Sequence, residues 1–147
     1  MVEITPVPLS HLTTLRTGAA PQRMLEATTT DELVAQLRDV WSRGEDWFVL
    51  GGGSNLFVGD EPFDGTVIRI RTAGIEQLPS PHPGRTRLRV QAGHDWDALV
   101  AHTVAHGLAG IEAMSGVPGT VGAAPVQNIG AYGQEIQETL VEVELID

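Results

Sequence analysis

Three consecutive glycines, Gly51, Gly52 and Gly53, followed by Ser54, Asn55 and Leu56, stand directly after the apolar run Trp47-Phe48-Val49-Leu50. With no Cβ atoms in the way, backbone N–H groups in such a run can converge on one point and cradle a phosphate or pyrophosphate without a cationic side chain. Ser54 and Asn55 can add side-chain donors. Two familiar phosphate loops do not fit. A Walker A loop ends in Gly-Lys-Ser/Thr, and no lysine follows these glycines. A dinucleotide fingerprint needs a further glycine where this chain has Leu56, and no helix is signalled next. The plainer alternative is a glycine turn linking two strands.

A second stretch, Ser115 to Gly133, is dense in small residues and carries almost no charge. Pro118, Gly119, Gly122, Ala123 and Gly130 would let a flat ligand lie against main chain. Val126 and Ile129 supply apolar contacts, and Gln127 and Asn128 supply amide donors and acceptors. Tyr132, the only tyrosine, is a candidate for substrate contact. A loop this long is uncommon in a compact domain unless it has a function; the alternative is a small-residue packing loop.

Other residues are weaker candidates. His102 and His106 have the i, i+4 spacing of a helical metal pair, but Thr103-Val104-Ala105 lacks a glutamate and no third ligand stands out, so no metal site is expected. Asp95 and Asp97 fall in a first helical turn, where the helix dipole favours a carboxylate without catalysis. Arg16 can reach a phosphate, although a surface role suits it better. No Ser/His/Asp nucleophile arrangement emerges, and no catalytic acid or base is identified. The chain reads as one built to hold a ligand.

The rest of the composition narrows the class. Nineteen Asp and Glu against nine Lys and Arg give a net charge of −10, which argues against nucleic acid or an anionic membrane as partner; any anionic ligand must be held locally. No cysteine means no disulfide framework and no thiolate metal site, and a cytoplasmic location is the simplest expectation. The start, Met-Val-Glu-Ile-Thr-Pro, lacks the basic and apolar regions of a leader, and no apolar run approaches about eighteen residues. Seventeen glycines and nine prolines predict short elements, while 41% hydrophobic residues suffice for a core.

Those elements can be placed. Residues 1–23 read as an irregular lead-in and Met24 to Thr28 as a short strand. A helix follows: Thr29 and Glu32 have capping-box spacing, Leu33, Leu37, Val40 and Trp41 share a face, and Gly44 stops it. Trp47 to Leu50 is a fully apolar strand; Thr66 to Arg71 and Arg87 to Ala92 are further strands, separated by an exposed Pro79 to Gly84 connection. A second helix runs from about Asp95 to His106, with Gly107 as its stop. Thr139 to Asp147 alternates as a half-buried strand, and ending there suggests truncation within a larger protein.

Taken together, Thr13-Thr14-Leu15-Arg16-Thr17-Gly18, the Gly51 to Leu56 loop, Gly110-Ile111-Glu112 and Ser115 to Gly133 resemble the bacterial UDP-N-acetylenolpyruvoylglucosamine reductase family, in order and over nearly the whole chain. The block ending Pro125-Val126-Gln127-Asn128-Ile129-Gly130-Ala131-Tyr132-Gly133 is the specific part; the glycine triplet would also suit other flavoproteins of the vanillyl-alcohol-oxidase type. The resemblance implies an α+β FAD-binding domain of two small subdomains, about 1–71 and 72–147, with FAD between them. The loop at Gly51 to Asn55 would wrap the pyrophosphate, and Pro118 to Gly130 would line the isoalloxazine. It also implies NADPH as reductant of FAD and reduction of the enolpyruvyl group of a UDP-sugar in peptidoglycan synthesis.

Two positions depart from the family pattern. A usual Gly-Gly-Pro-Ala reads Gly18-Ala19-Ala20-Pro21, and a hydroxyl residue of the flavin-facing loop is replaced within Ala123-Ala124, leaving backbone N–H groups for that contact. The family's proton-donating serine, catalytic arginine, carboxyl-terminal glutamate and substrate domain are expected beyond residue 147. A flavin- or nucleotide-binding module without catalysis of its own, and another flavin oxidase of the same superfamily, are the competing readings.

Overall fold

The computed structural model describes residues 2–147, and the chain divides into two compact units, Met1–Thr72 and Ala73–Asp147. The first is built on a four-stranded sheet, β1 (Val2–Ile4), β2 (Arg23–Ala27), β3 (Trp47–Leu50) and β4 (Thr66–Ile70), in the order β1-β2-β4-β3. β1 runs antiparallel to β2, whereas β2, β4 and β3 are mutually parallel. The lead-in is therefore not irregular throughout: β1 and a 3-10 turn at Leu9–His11 lie within it. Met1 lies outside the described residues.

Helix α1 (Thr30–Arg43) packs on β2 and β4 with Leu33, Leu37 and Val40 buried. Its start is fixed as the spacing predicts. Thr29 Oγ1 accepts the Glu32 N–H at 3.2 Å, and the Glu32 carboxylate accepts the N–H groups of Thr28 (2.9 Å) and Thr29 (3.2 Å). Gly44 closes the helix in the left-handed conformation, φ 65°. A second apolar cluster gathers Leu9, Met24, Leu50 and Val67, with Leu12, Leu56 and Val58 against it.

The N–H of Thr28 above all, with the Thr28 hydroxyl, holds the Glu32 carboxyl below the usual carboxylate range. A depressed folded-state pKa stabilises the fold above the unfolded value, and that gain is lost as pH falls through the folded value. Glu32→Gln should therefore flatten the acid limb: between about pH 6 and pH 3 its thermal midpoint should drop less than the parent's. Parallel midpoint curves would refute the cap's role.

The second unit holds a hairpin, β5 (Ile75–Leu78) and β6 (Arg87–Val90), then α2 (Trp96–Ala105) and a two-residue-strand hairpin, β7 (Gly130–Ala131) and β8 (Gln134–Glu135). Its core joins Trp96, Leu99 and Val100 of α2 to Ile111, Met114, Ala124, Ile129 and Ile136. Trp96 is the anchor: its ring is 1% exposed and its Nε1–H donates to the Met114 carbonyl at 3.1 Å.

The strand expected at Trp47 to Leu50 is borne out as β3, an edge strand whose Phe48 and Leu50 turn to the core while Trp47, 38% exposed, packs edge-on against Trp41, 6.0 Å between ring centres. One strand expectation needs correction. Thr139 to Asp147 forms no strand. Its alternation suits a half-buried ladder, but no described strand pairs with it, and Val141, Val143 and Leu145 are exposed. Glu142 is tied to Arg87 at 2.9 Å.

Candidate functional site

Because β3 and β4 are parallel neighbours, with Trp47 opposite Thr66 and Leu50 opposite Arg69, no tight turn can join them. The chain must leave the carboxyl end of β3 and travel back along the sheet before β4 begins. That rules out a simple glycine turn and places Gly51 to Asn55 at the carboxyl end of parallel strands, where open sheets hold ligands.

Gly53 is buried with φ 67°, and a Cβ there would run into the Leu12 carbonyl oxygen. The Gly53 carbonyl in turn accepts the Thr14 N–H at 3.0 Å, so the triplet is clamped to the lead-in. Within that lead-in, Thr13 Oγ1 donates to the Thr17 carbonyl (3.1 Å), and the Val58 N–H donates to Thr17 Oγ1 (3.4 Å). Arg16 adopts the left-handed conformation, φ 53°, which is rare for a residue with a side chain.

A cavity of about 720 Å³ opens here, lined by residues 10–14, Arg16, Gly52 and Arg69. Gly52 is exposed to it, and among the described residues neither Gly52 nor Gly53 donates its N–H to a backbone carbonyl. Ser54 is half-buried and Asn55 exposed, while the Leu56 side chain packs on the core cluster. Arg69 was not legible as a site residue. It reaches the cavity only through the ladder register that sets it beside the end of β3, with Nη1 3.5 Å from Glu26 on β2.

In the second unit the small-residue segment is laced to the strand-to-helix turn before α2. Trp96 N–H donates to Gly119 (3.1 Å), Val121 N–H to His94 (2.9 Å) and Gly122 N–H to Ala92 (2.8 Å). A Cβ on Gly122 would lie 2.6 Å from Ala92 Cβ. After a 3-10 turn at Ala124–Gln127, Asn128 turns left-handed (φ 47°) and donates to Glu135 at 2.8 Å. Pro118, Gly122, Val126 and Gly130 are exposed, and Gly119 and Ala123 half-buried. Ile129 is not: its side chain is in the core, so the apolar contact expected of it is internal. Tyr132 stands 94% exposed.

The remaining candidates serve local structure. Asp95 caps α2 through the Ala98 N–H (2.8 Å), and Asp97 accepts from Ser115 Oγ (3.0 Å) and the Gly116 N–H (2.7 Å). The His102 and His106 rings lie 4.2 Å apart, and His106 Nδ1 meets the His102 carbonyl at 2.7 Å. Among the described residues no group of three or more His, Asp or Glu is placed to hold a metal ion, and no helix is long and apolar enough to cross a membrane. Glu112 accepts the Gly110 N–H, which chiefly holds its carboxyl below the usual range.

A family model described as "FAD binding domain" matches residues 21–147. The chain belongs to that FAD-binding family. It is 60% identical over 142 residues to the UDP-N-acetylenolpyruvoylglucosamine reductase of Leifsonia xyli subsp. xyli, covering 97% of this chain and 37% of that protein. To the reductase of the same name from Salinispora arenicola it is 48% identical over 139 residues, covering 95% and 38%. The crystal structure of UDP-N-acetylenolpyruvylglucosamine reductase from Thermus caldophilus superposes with a TM-score of 0.69 at 28% identity, covering 92% of this chain and 46% of that one. The resemblance read from the sequence and its α+β FAD-binding fold are borne out, as is FAD as the cofactor. The chain spans a little over a third of the length of these curated relatives.

The residues present fit such a cofactor. A loop of bare backbone, locked where a Cβ would clash, borders a cavity that also takes in two arginines, an arrangement suited to a pyrophosphate in a chain of net charge −10.

Proposed function

We propose that this chain is the FAD-binding part of a cytoplasmic UDP-N-acetylenolpyruvoylglucosamine reductase, in which NADPH drives reduction of the enolpyruvyl group of a UDP-sugar in peptidoglycan precursor synthesis. The observation that carries this reading is the glycine loop at the carboxyl end of β3, opening on the Arg16 and Arg69 cavity; the similarity to the named reductases supplies the substrate class. FAD, when bound, supplies the hydride-transfer chemistry.

The chain's own residues bind and orient. Gly51, Gly52 and Gly53 present backbone N–H groups to the pyrophosphate, assisted by Ser54 and Asn55. Pro118, Gly119, Gly122, Ala123, Val126 and Gly130 offer a side-chain-poor surface to the flavin ring; the N–H groups of Gly122, Ala123 and Ala124, expected to stand in for the missing hydroxyl, are already given to the Ala92 and Thr120 carbonyls and hold the segment's own fold. Tyr132, exposed beside this segment, is assigned to substrate contact on this reading.

Binding of FAD to the folded chain stabilises it by mass action, so a melting scan with FAD at about a hundred times its Kd should raise the midpoint by about 5 °C or more, alongside a visible flavin band. An unshifted midpoint at such saturation would overturn the cofactor site. Reduction of a vinyl ether also needs an acid near the carbon that does not receive hydride, and none of the residues above is assigned that role. The 147-residue chain alone should bind FAD yet show no substrate-dependent NADPH oxidation. Full turnover would make Tyr132 and Ser115 the first residues to re-examine.

A further inference from the structure

The glycine loop has partners that a bare-backbone cradle does not need. We infer that Arg16 and Arg69 form a two-arginine clamp that holds a pyrophosphate against Gly52, making the site select a flavin dinucleotide over the same flavin without its phosphates. This rests on the FAD reading above for its ligand.

The two arginines reach the cavity from unrelated parts of the first unit. Arg69 is fixed by the sheet: it lies opposite Leu50 on one side and Glu26 on the other, so its position is set by two parallel ladders. Glu26 engages it through Nη1 alone, at 3.5 Å, a long contact that orients the guanidinium and leaves most of its five N–H groups for a ligand. Arg16 comes from the lead-in, and its backbone is held at φ 53° by a loop whose turns close on Thr13 and Thr17. A left-handed residue with a long side chain carries a conformational cost, and such residues concentrate at ligand clamps. Among the described residues no carboxylate lies within ion-pair distance of Arg16.

Charge gives the clamp its reason. With a net charge of −10 the chain's overall field repels a phosphate, so local cations must reverse that field at the loop. All nine of the basic residues other than histidine are arginine, the side chain whose planar fork matches phosphate oxygens in pairs. Two forks and the loop N–H groups together suit a diphosphate better than a single phosphate.

The test is calorimetric titration of the 147-residue chain with FAD, riboflavin and inorganic pyrophosphate, for the parent, Arg16→Met, Arg69→Met and, as a control on α1, Arg38→Met. Each clamp variant should bind FAD and pyrophosphate about tenfold or more weakly, with riboflavin affinity and the Arg38→Met titrations unchanged. Arg69→Lys should recover only part of the loss, since it restores charge without the fork. Circular dichroism checks each fold; should Arg69→Met not fold, Arg16→Met on its exposed loop decides alone. Parent-like FAD and pyrophosphate binding in the variants overturns the clamp and leaves the flavin reading standing. Arginine-dependent pyrophosphate binding without FAD uptake upholds the clamp and overturns the flavin reading. A parent that binds neither overturns both.

Discussion

Gly53→Ala should destabilise the folded chain by about 2–5 kcal/mol, the sum of a left-handed residue gaining a Cβ (about 1–2 kcal/mol) and of overpacking (about 1–3 kcal/mol). The position leaves no easy escape. φ is 67°, the residue is buried, and the new methyl meets not a flexible side chain but the Leu12 carbonyl, in a segment already joined to Gly53 through the Thr14 N–H. Relief would require the lead-in to lift away from the loop, carrying one wall of the cavity with it. Urea denaturation of the first unit is the measurement. A loss below about 0.5 kcal/mol, the ordinary range for a surface change, would mean that the clash and the strain are both absent.

One residue earlier the consequence reverses. Gly52 is exposed and lines the cavity, so Gly52→Asp should leave stability within about 0.5 kcal/mol of the parent. Its cost falls on the ligand: a carboxylate facing a pyrophosphate replaces charge-assisted hydrogen bonds worth about 1.5–3 kcal/mol with repulsion. FAD affinity should fall at least about tenfold. Equal flavin affinity in a folded Gly52→Asp variant would remove the loop from the cofactor site. The pair separates two demands within one triplet, since a Cβ on Gly53 meets the Leu12 carbonyl whereas Gly52 borders the cavity.

How much of this can be read from the sequence depends on how local each feature is. α1 is legible to the residue because its cap, its apolar face and its left-handed stop are all encoded within one stretch, Thr29 to Gly44. α2 is legible from Asp95 and Gly107 in the same way. β5 is not, because Ile75-Glu76-Gln77-Leu78 has apolar ends around a polar centre and gains its identity only by pairing with β6. The half-buried strand expected at Thr139 to Asp147 fails for the converse reason: the pattern is present and the partner is not among the described strands. In the candidate site the glycine triplet announces itself, whereas Arg69 does not, since its place beside Gly52 depends on parallel register between distant segments. Ile129 shows the same limit. Small-residue context marks the segment, but only packing decides which side chains turn inward.

The strand order β1-β2-β4-β3 also bears on the chain's birth at the ribosome. Among the described strands β3 pairs with β4 alone, so the apolar Trp47-Phe48-Val49-Leu50 is translated before the strand it hydrogen-bonds to exists. At about 5–20 residues per second, traversing the crossover and β4 takes about one to four seconds. Until β4 follows, an uncharged, strand-forming segment has no described strand to hydrogen-bond to, so β3 is set only once β4 can join it. The contact between Glu26 and Arg69, 43 residues apart, likewise waits for β4, so the cation beside the glycine loop is among the last parts of the first unit to be set in place.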